Sequence, residues 1–257
     1  MSDNGPNIAV LVKQVPDVNE ITIDPATRHA RIGETRVLNT FDHYALTAAL
    51  GLSDQAGGCV TVITAGPHQA RDVLLRCLAS GADHATLIDL PDHNGVDTLA
   101  LAKVLASEVR RQGFDLVFAG QSTDDYEAGQ VGPQVAELLG WPHVSLVTQV
   151  ALEGNRLEIR RDAESSKEDV SVALPAVLMV LSGRDSDQRY PTLRGMMQAK
   201  KKTIPVVTPD VETDNARLSW SEPVAEERDA TGIIVQGVPA PEAARKLVAW
   251  LKERKLA

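Results

Sequence analysis

Residues 118–142 read FAGQSTDDYEAGQVGPQVAELLGWP, and this stretch organises the rest of the chain. It leaves an apolar run at 116–119 and turns at Gly120. It then passes two carboxylates, Asp124 and Asp125, and reaches Gly129-Gln130-Val131-Gly132, where a helical pattern begins. A strand, a glycine-containing loop and a helix N-terminus together make a place where backbone N–H groups can hold a phosphate. Two readings stay open on these residues alone. One is a nucleotide-binding half-site; the other is a loop whose glycines serve turn geometry only. The stretch matches neither the P-loop pattern nor GxGxxG, so neither of those mechanisms is implied.

Working outward, the same unit recurs. Residues 7–13, NIAVLVK, form a short continuous apolar run, as do 59–64, 85–90, 115–119 and 144–150. Such runs read as strands buried on both faces. Helical patterns lie between them. Thr40 or Asp42 caps one that runs to about Gln55, with Ala45, Leu46, Ala49 and Leu50 on one face. A second covers 69–79 and stops at Gly81. A third covers 97–111 with Leu99, Ala102, Leu105 and Val109 inward, and a fourth ends at Leu139. The alternation predicts the α/β class, with a doubly wound, mostly parallel sheet. Right-handed crossovers bring the loops after Lys13, Thr64 and Ala119 to one edge, where they can converge on one ligand. Residues 14–38 are long for a βα connection and predict a hairpin or lid.

The pattern changes after Val150. Residues 152–161 and 170–182 read as strands separated by a charged turn, 162–169, which predicts an antiparallel addition to the sheet. Residues 184–198 are polar without periodicity and expose Tyr190, Leu193, Met196 and Met197 among Arg189 and Arg194. Lys200-Lys201-Lys202 follows. Residues 205–237 are irregular, and 239–256 close the chain with an amphipathic helix carrying Ala243, Leu247, Val248 and Leu251. The pattern predicts two parts, an α/β domain over 1–207, nucleotide-binding on the first of the two readings above, and an extended arm, 208–257.

Composition narrows the function. A net charge of −9 over 257 residues argues against non-specific nucleic-acid binding. No apolar run approaches the roughly 18 residues of a membrane span, and MSDNGPN is not a secretion or transit signal, so the cytoplasm is the default location. Cys59 and Cys77 read as small hydrophobes rather than a disulfide. No Cys/His cluster has zinc spacing. Neither GxSxG nor HExxH occurs. Adjacent side chains diverge, so Asp124 and Asp125 suit capping or ribose contact better than acid/base catalysis. His43, His68 and His84 share no spacing and read as surface or helix-end residues. The Leu193 region is either a surface loop tucked onto the body or a protein-recognition segment with an apolar anchor rimmed by arginine.

Four segments together resemble the β subunit of electron-transfer flavoproteins, the FixA-like family. They are Val12-Lys13-Gln14-Val15-Pro16-Asp17; 39–45, NTFDHYA; 120–142; and Arg189-Tyr190-Pro191-Thr192-Leu193 leading to Met197-Gln198-Ala199-Lys200-Lys201-Lys202. The resemblance implies an adenine-nucleotide α-hydrolase-like sheet and an α subunit that holds most of the redox-active FAD. It also implies a structural AMP in this chain, or a second FAD in members that bifurcate electrons. By position, the nucleotide site would use Leu11, Asn39, Thr40, Phe41, Asp42, Ala65, Gly66, Thr98, Gly120, Asp125, Gly129, Gln130, Val131 and Gly132. Asp125 would anchor the sugar side, and the N–H groups around 130–132 would hold the phosphate.

A recognition loop at 184–199, with Arg189, Tyr190, Leu193 and Met197, would dock flavin dehydrogenases of the acyl-CoA dehydrogenase type. A quinone reductase or ferredoxin-type acceptor would take the electrons, and the arm would pack on the α subunit. The charges of 160–169 offer further pairs to that subunit. The chain would make and break no covalent bond of its own. Gln188 and Gln198 replace a proline and a lysine usual in the family. The QVGP ending of the loop and Asp97-Thr98 lean toward a second FAD. A different class, a stand-alone nucleotide sensor like the universal stress proteins, has no use for the antiparallel addition, the Leu193 loop or the arm. An ATP-pyrophosphatase reading lacks its SGGxDS-like loop, since Lys13-Gln14-Val15-Pro16 follows the first strand.

Overall fold

The apolar runs become neighbouring strands of one sheet. The computed structural model describes residues 5–91, 96–183, 188–211, 218, 221–226 and 234–256. In chain order, β1 (Asn7–Leu11) leads into two small hairpin pairings. These are β2 (Gln14–Pro16) with β5 (Arg36–Leu38), and β3 (Thr22–Ile23) with β4 (Ala30–Arg31). Then follow α1 (Thr40–Ala56), β6 (Cys59–Gly66), α2 (Arg71–Ser80), β7 (His84–Asp89), α3 (Thr98–Gln112), β8 (Leu116–Gly120) and α4 (Val131–Leu139). The second half holds β9 (His143–Glu153), β10 (Arg156–Asp162), β11 (Lys167–Ala173), β12 (Ala176–Val180), α5 (Leu193–Ala199), β13 (Val206–Val207) and α6 (Ala240–Glu253).

Nine strands join in the order β11-β10-β9-β12-β8-β1-β6-β7-β13. All neighbours from β9 to β13 are parallel, and β9-β10-β11 is the antiparallel addition. From β1 the chain moves outward to β6 and β7, then returns to β8 on the other side of β1. That reversal makes the carboxyl ends of β1 and β8 a topological switch point, where open α/β sheets leave a crevice.

The two-residue period of the strands explains why these runs are apolar throughout. Ile8 and Val10 of β1 face a core shared with Leu46 of α1, Leu74 of α2 and Phe118 of β8. Ala9 and Leu11 face the opposite core with Val104 and Val109 of α3 and Val135 of α4. Each large apolar side chain buried this way contributes about 2 kcal/mol, so helices on both faces demand apolar residues at every strand position.

Several expectations shift. Neither Thr40 nor Asp42 is the N-cap of α1; Asn39 occupies that position, and Thr40 is the first helical residue. Leu99 faces outward and is exposed. Leu152 does not begin a strand. The long β9 runs through it to Glu153, and the turn falls at Gly154, whose positive φ of 64° suits glycine. The run expected over 170–182 is two strands, because Pro175 has no N–H to give the sheet. Residues 193–199 are helical. Met196 packs against the core rather than standing exposed, whereas Tyr190, Leu193 and Met197 are exposed. The charges of 160–169 are matched within their own hairpin: Arg160 with Asp169 at 2.8 Å, Arg161 with Glu168 at 3.1 Å, and Lys167 with Asp162 at 4.0 Å. Arg184 lies outside the described residues.

Candidate functional site

The switch point is built around Asp42. Its carboxylate accepts the N–H of Lys13 at 2.7 Å and of Gly120 at 3.1 Å, tying the ends of β1 and β8 to the first turn of α1. Burial pushes the Asp42 carboxyl up to about 7, against the pull of these donors. Glycine is required at 120, because a Cβ there would overlap Asp42 Oδ1 and sit 2.7 Å from Phe41 Cβ.

The loop between β8 and α4 is fastened to this turn. Asn39, fully buried, donates from Nδ2 to the Ser122 carbonyl at 2.9 Å and accepts the Asp124 N–H at 3.0 Å. Asp124 accepts the Thr40 N–H at 2.9 Å and the Thr40 hydroxyl at 2.8 Å. The missing side-chain cap of α1 is thus supplied from across the sheet, satisfying a first-turn donor. Asp125 points the other way, to Lys13 Nζ at 2.6 Å, and the same ammonium lies 4.6 Å from the centre of the Tyr126 ring. The two adjacent carboxylates diverge, as their adjacency predicts. Burial first, and Asp125 second, push the Tyr126 phenol up. Gln121 pins the neighbouring strand by accepting the N–H of Leu146, at a bulge where β9 shifts register.

At the far end of the loop, Gly129 takes φ +60° and delivers the chain into α4. The first-turn N–H groups of α4 have no acceptor within their helix. Gly132 serves packing, because a Cβ there would come 2.7 Å from Met179 Cγ on β12. Opposite, Asp97 caps α3 by accepting the Ala100 N–H at 2.8 Å. Thr98 donates to Gln130 Oε1 at 3.0 Å and accepts from Gln134 Nε2 at 3.3 Å. Gln134 Oε1 is buried without a partner. Two helix N-termini and a short chain of hydroxyl and amide groups therefore share one corner, where the first-turn N–H groups of α4 are donors of the kind that suit phosphate oxygens.

The fold puts every residue expected at the nucleotide site along the carboxyl edge of the sheet. Leu11 and Gly120 end their strands; Ala65 and Gly66 end β6; Asn39, Thr40, Phe41 and Asp42 start α1; Thr98 starts α3; and Asp125, Gly129, Gln130, Val131 and Gly132 run through the loop into α4. Arg189, Tyr190, Leu193 and Met197 lie apart, along α1 and on α5. Lys13, Ser122, Asp124 and Gln134 also belong to the first group. Lys13 was visible only as part of the segment after the first strand and Gln134 carried no sequence signal of its own, while Asp124 was visible as a polar neighbour of Asp125. Among the described residues no group of His, Cys, Asp or Glu has the arrangement of a metal site. Both cysteines are free thiols; burial pushes both up, with Cys77 fully buried. No helix among the described residues is long and apolar enough to cross a membrane.

A doubly wound sheet with its loop cluster at the switch point leaves the crevice where open α/β sheets take ligands, and the comparisons with known proteins say which family it belongs to. Residues 28–212 match the family described as "Electron transfer flavoprotein domain". The chain is 40% identical over 215 residues to the electron transfer flavoprotein subunit beta of Thermoanaerobacterium thermosaccharolyticum, covering 82% of each chain. It is 35% identical over 264 residues to the caffeyl-CoA reductase-Etf complex subunit CarD of Acetobacterium woodii, covering 97% of this chain and 99% of that one. It is 35% identical over 207 residues to protein FixA of Azorhizobium caulinodans, covering 77% and 74%. The chain belongs to the electron transfer flavoprotein family, as a β-subunit or FixA-like electron-transfer subunit. Subunits of this kind are electron carriers rather than catalysts in the usual sense, and the family is associated with flavin.

Proposed function

We propose that this chain pairs with an electron transfer flavoprotein α subunit and holds an adenine nucleotide at the edge formed by Leu11, 39–42, Ala65, Gly66, Thr98 and 120–132. The single observation that carries the nucleotide is the corner where the N-termini of α3 and α4 meet, bridged by the Thr98 hydroxyl and the Gln130 and Gln134 side chains. The first-turn N–H groups at 130–132 would meet one phosphate. Thr98 and Gln134, already in one hydrogen-bonded chain with Gln130, would meet a second. AMP needs only the first. The ADP portion of a second FAD needs both, so the Thr98-Gln134 pair favours FAD as the alternative occupant, and with it electron bifurcation. When bound, such a flavin would supply the redox chemistry; this chain's residues bind, orient and shield it. Asp125 would reach the sugar by giving up Lys13.

The heterodimer would work in the cytoplasm. It would accept electrons from flavin dehydrogenases of the acyl-CoA dehydrogenase type and pass them to a quinone reductase or ferredoxin-type acceptor. Docking would run through Leu193, which is 83% exposed, with Arg189, Tyr190 and Met197 around it. The arm, 208–257, would lie on the α subunit; α6 buries none of its residues within this chain. The test is a count. Co-purify the chain with its α subunit, denature the complex, and quantify what is released. One flavin with one AMP means a simple carrier, and two flavins mean a bifurcating member. Release of no adenine nucleotide beyond one flavin defeats the proposal.

A further inference from the structure

The exposed anchor is not free to move, and what holds it is a residue with no role so far. His43 sits in the first turn of α1, between Asp42 at the switch point and Tyr44 in the core. Its Nε2 is 2.9 Å from the carbonyl oxygen of Arg189. A carbonyl can only accept, so that nitrogen carries the proton. The imidazole also meets the Tyr190 ring edge to face, with centroids 5.1 Å apart and planes at 72°. Around this contact Arg189 is fixed twice more along the same helix: its N–H reaches Thr47 Oγ1 at 3.4 Å, and its guanidinium pairs with Asp54.

The other end of the segment is fixed to α2. Thr192 caps α5 by accepting the Gly195 N–H at 2.9 Å. Any Cβ at Gly195 would overlap the Ala79 carbonyl, so α5 lies directly against the end of α2. Lys202 donates to the Ala82 and Asp83 carbonyls at 2.9 and 2.8 Å. Leu193 therefore projects from a short bridge between two supports. The α2 support is made of backbone packing and a lysine. The α1 support rests chiefly on one imidazole, because the Arg189 N–H to Thr47 bond is long at 3.4 Å and the Arg189-Asp54 pair is exposed, and exposed pairs hold little.

We propose that His43 is the positioning residue of the docking segment: by donating to the Arg189 carbonyl and packing on Tyr190, it holds the Leu193 anchor in the pose an incoming protein surface meets. This rests on the docking role proposed above for Leu193. The imidazole meets Arg189 and Tyr190, while only the His43 backbone joins the turn at Asn39, so the effect of changing the side chain falls on encounter and docking. A preset anchor lowers the ordering cost of association. One net hydrogen bond is worth about fivefold in an equilibrium.

The test uses the intact heterodimer, with His43→Ala, His43→Gln and Leu193→Ala compared with the parent. Reduction of the bound flavin by an acyl-CoA dehydrogenase, itself reduced with an acyl-CoA, is followed at increasing heterodimer concentration. His43→Ala is expected to raise the apparent KM about fivefold, with kcat, released nucleotide and reduction by dithionite unchanged. His43→Gln, whose amide N–H can serve the same carbonyl, should recover most of that loss. Trypsin gives a readout independent of docking. Cleavage of the Arg189-Tyr190 bond should be about fivefold faster in His43→Ala than in the parent, and near the parent rate in His43→Gln.

An unchanged KM in His43→Ala, with Leu193→Ala impaired, overturns the positioning role and leaves the docking role standing. An unchanged KM in both removes the docking role itself. Equal impairment of the Gln and Ala variants overturns the hydrogen bond as the cause. Should His43→Ala fail to assemble, the trypsin comparison between the parent and His43→Gln decides. Faster cleavage in His43→Gln would show that the pose does not depend on an N–H at that point.

Discussion

The carboxyl edge of the sheet and the C-terminal arm use the same chain in opposite ways. At the edge, Asn39, Asp42, Asp124 and Asp125 all find partners inside the chain, several of them more than 80 residues away in sequence. Along α6 the apolar residues Leu247 and Val248 are exposed, and no residue of the helix is buried. The edge is therefore organised before a ligand arrives. Among the described residues, the amphipathic pattern of α6 leaves its apolar side chains Leu247 and Val248 exposed. An amphipathic pattern thus foretells a helix, but not which surface its apolar side will meet.

The sharpest way to break this contrast is to remove residues 234–257. Co-purification with the α subunit is expected to be lost, while the melting temperature of the remaining chain stays within about 2 °C of the parent, since no core residue is removed. Retention of the complex would put the arm outside the interface. Next comes Gly132→Val, which drives a side chain into Met179 on β12. Overpacking of this kind costs about 1–3 kcal/mol, measurable by denaturant unfolding. An unchanged midpoint would mean that α4 can lift off the sheet freely, contradicting an organised edge.

The smallest expected effect belongs to Asp42→Asn, which turns an amide N–H toward one of two backbone donors and costs about 1–2 kcal/mol. Its value lies in pH. In the folded chain Asp42 holds its proton up to about 7, whereas an ordinary aspartate loses it near 3.8. Folding therefore takes up a proton between those limits. The stability due to this group is full below the lower limit and is lost as pH rises through the upper one. Unfolding free energy measured from pH 4 to 8 should fall with rising pH in the parent, and less steeply in Asp42→Asn. Identical slopes would show that Asp42 is not the group responsible.

Much of the architecture was legible in the sequence because the parallel strands are buried on both faces, which leaves continuous apolar runs such as Asn7–Leu11 and Leu116–Gly120. The helix start at Val131 was legible from the preceding glycine loop. What escaped detection was non-local or short. The cap of α1 comes from Asp124, 84 positions away, so a local search for a cap settles on Thr40 or Asp42 instead. The pairing of Asp125 with Lys13 spans 112 positions. The seven residues of α5 complete too few turns for a period to stand out, and their placement depends on Gly195 lying against α2. The β9-β10 break was misplaced because β9 keeps strand-like residues well past the point where its parallel neighbour ends.

The two outermost strands have a consequence for how the protein survives at high concentration. On one flank β13 is two residues long, set between Pro205 and Pro209; on the other, β11 alternates Lys167 and Asp169 with their matched charges on β10. A sheet of nine strands is a broad template for stacking copies edge to edge into fibres, and prolines and charges are what deny it that growth. Both outer edges of this wide, mostly parallel sheet, of a type that folds slowly and stays unpaired for longer, thus carry features that disfavour propagation.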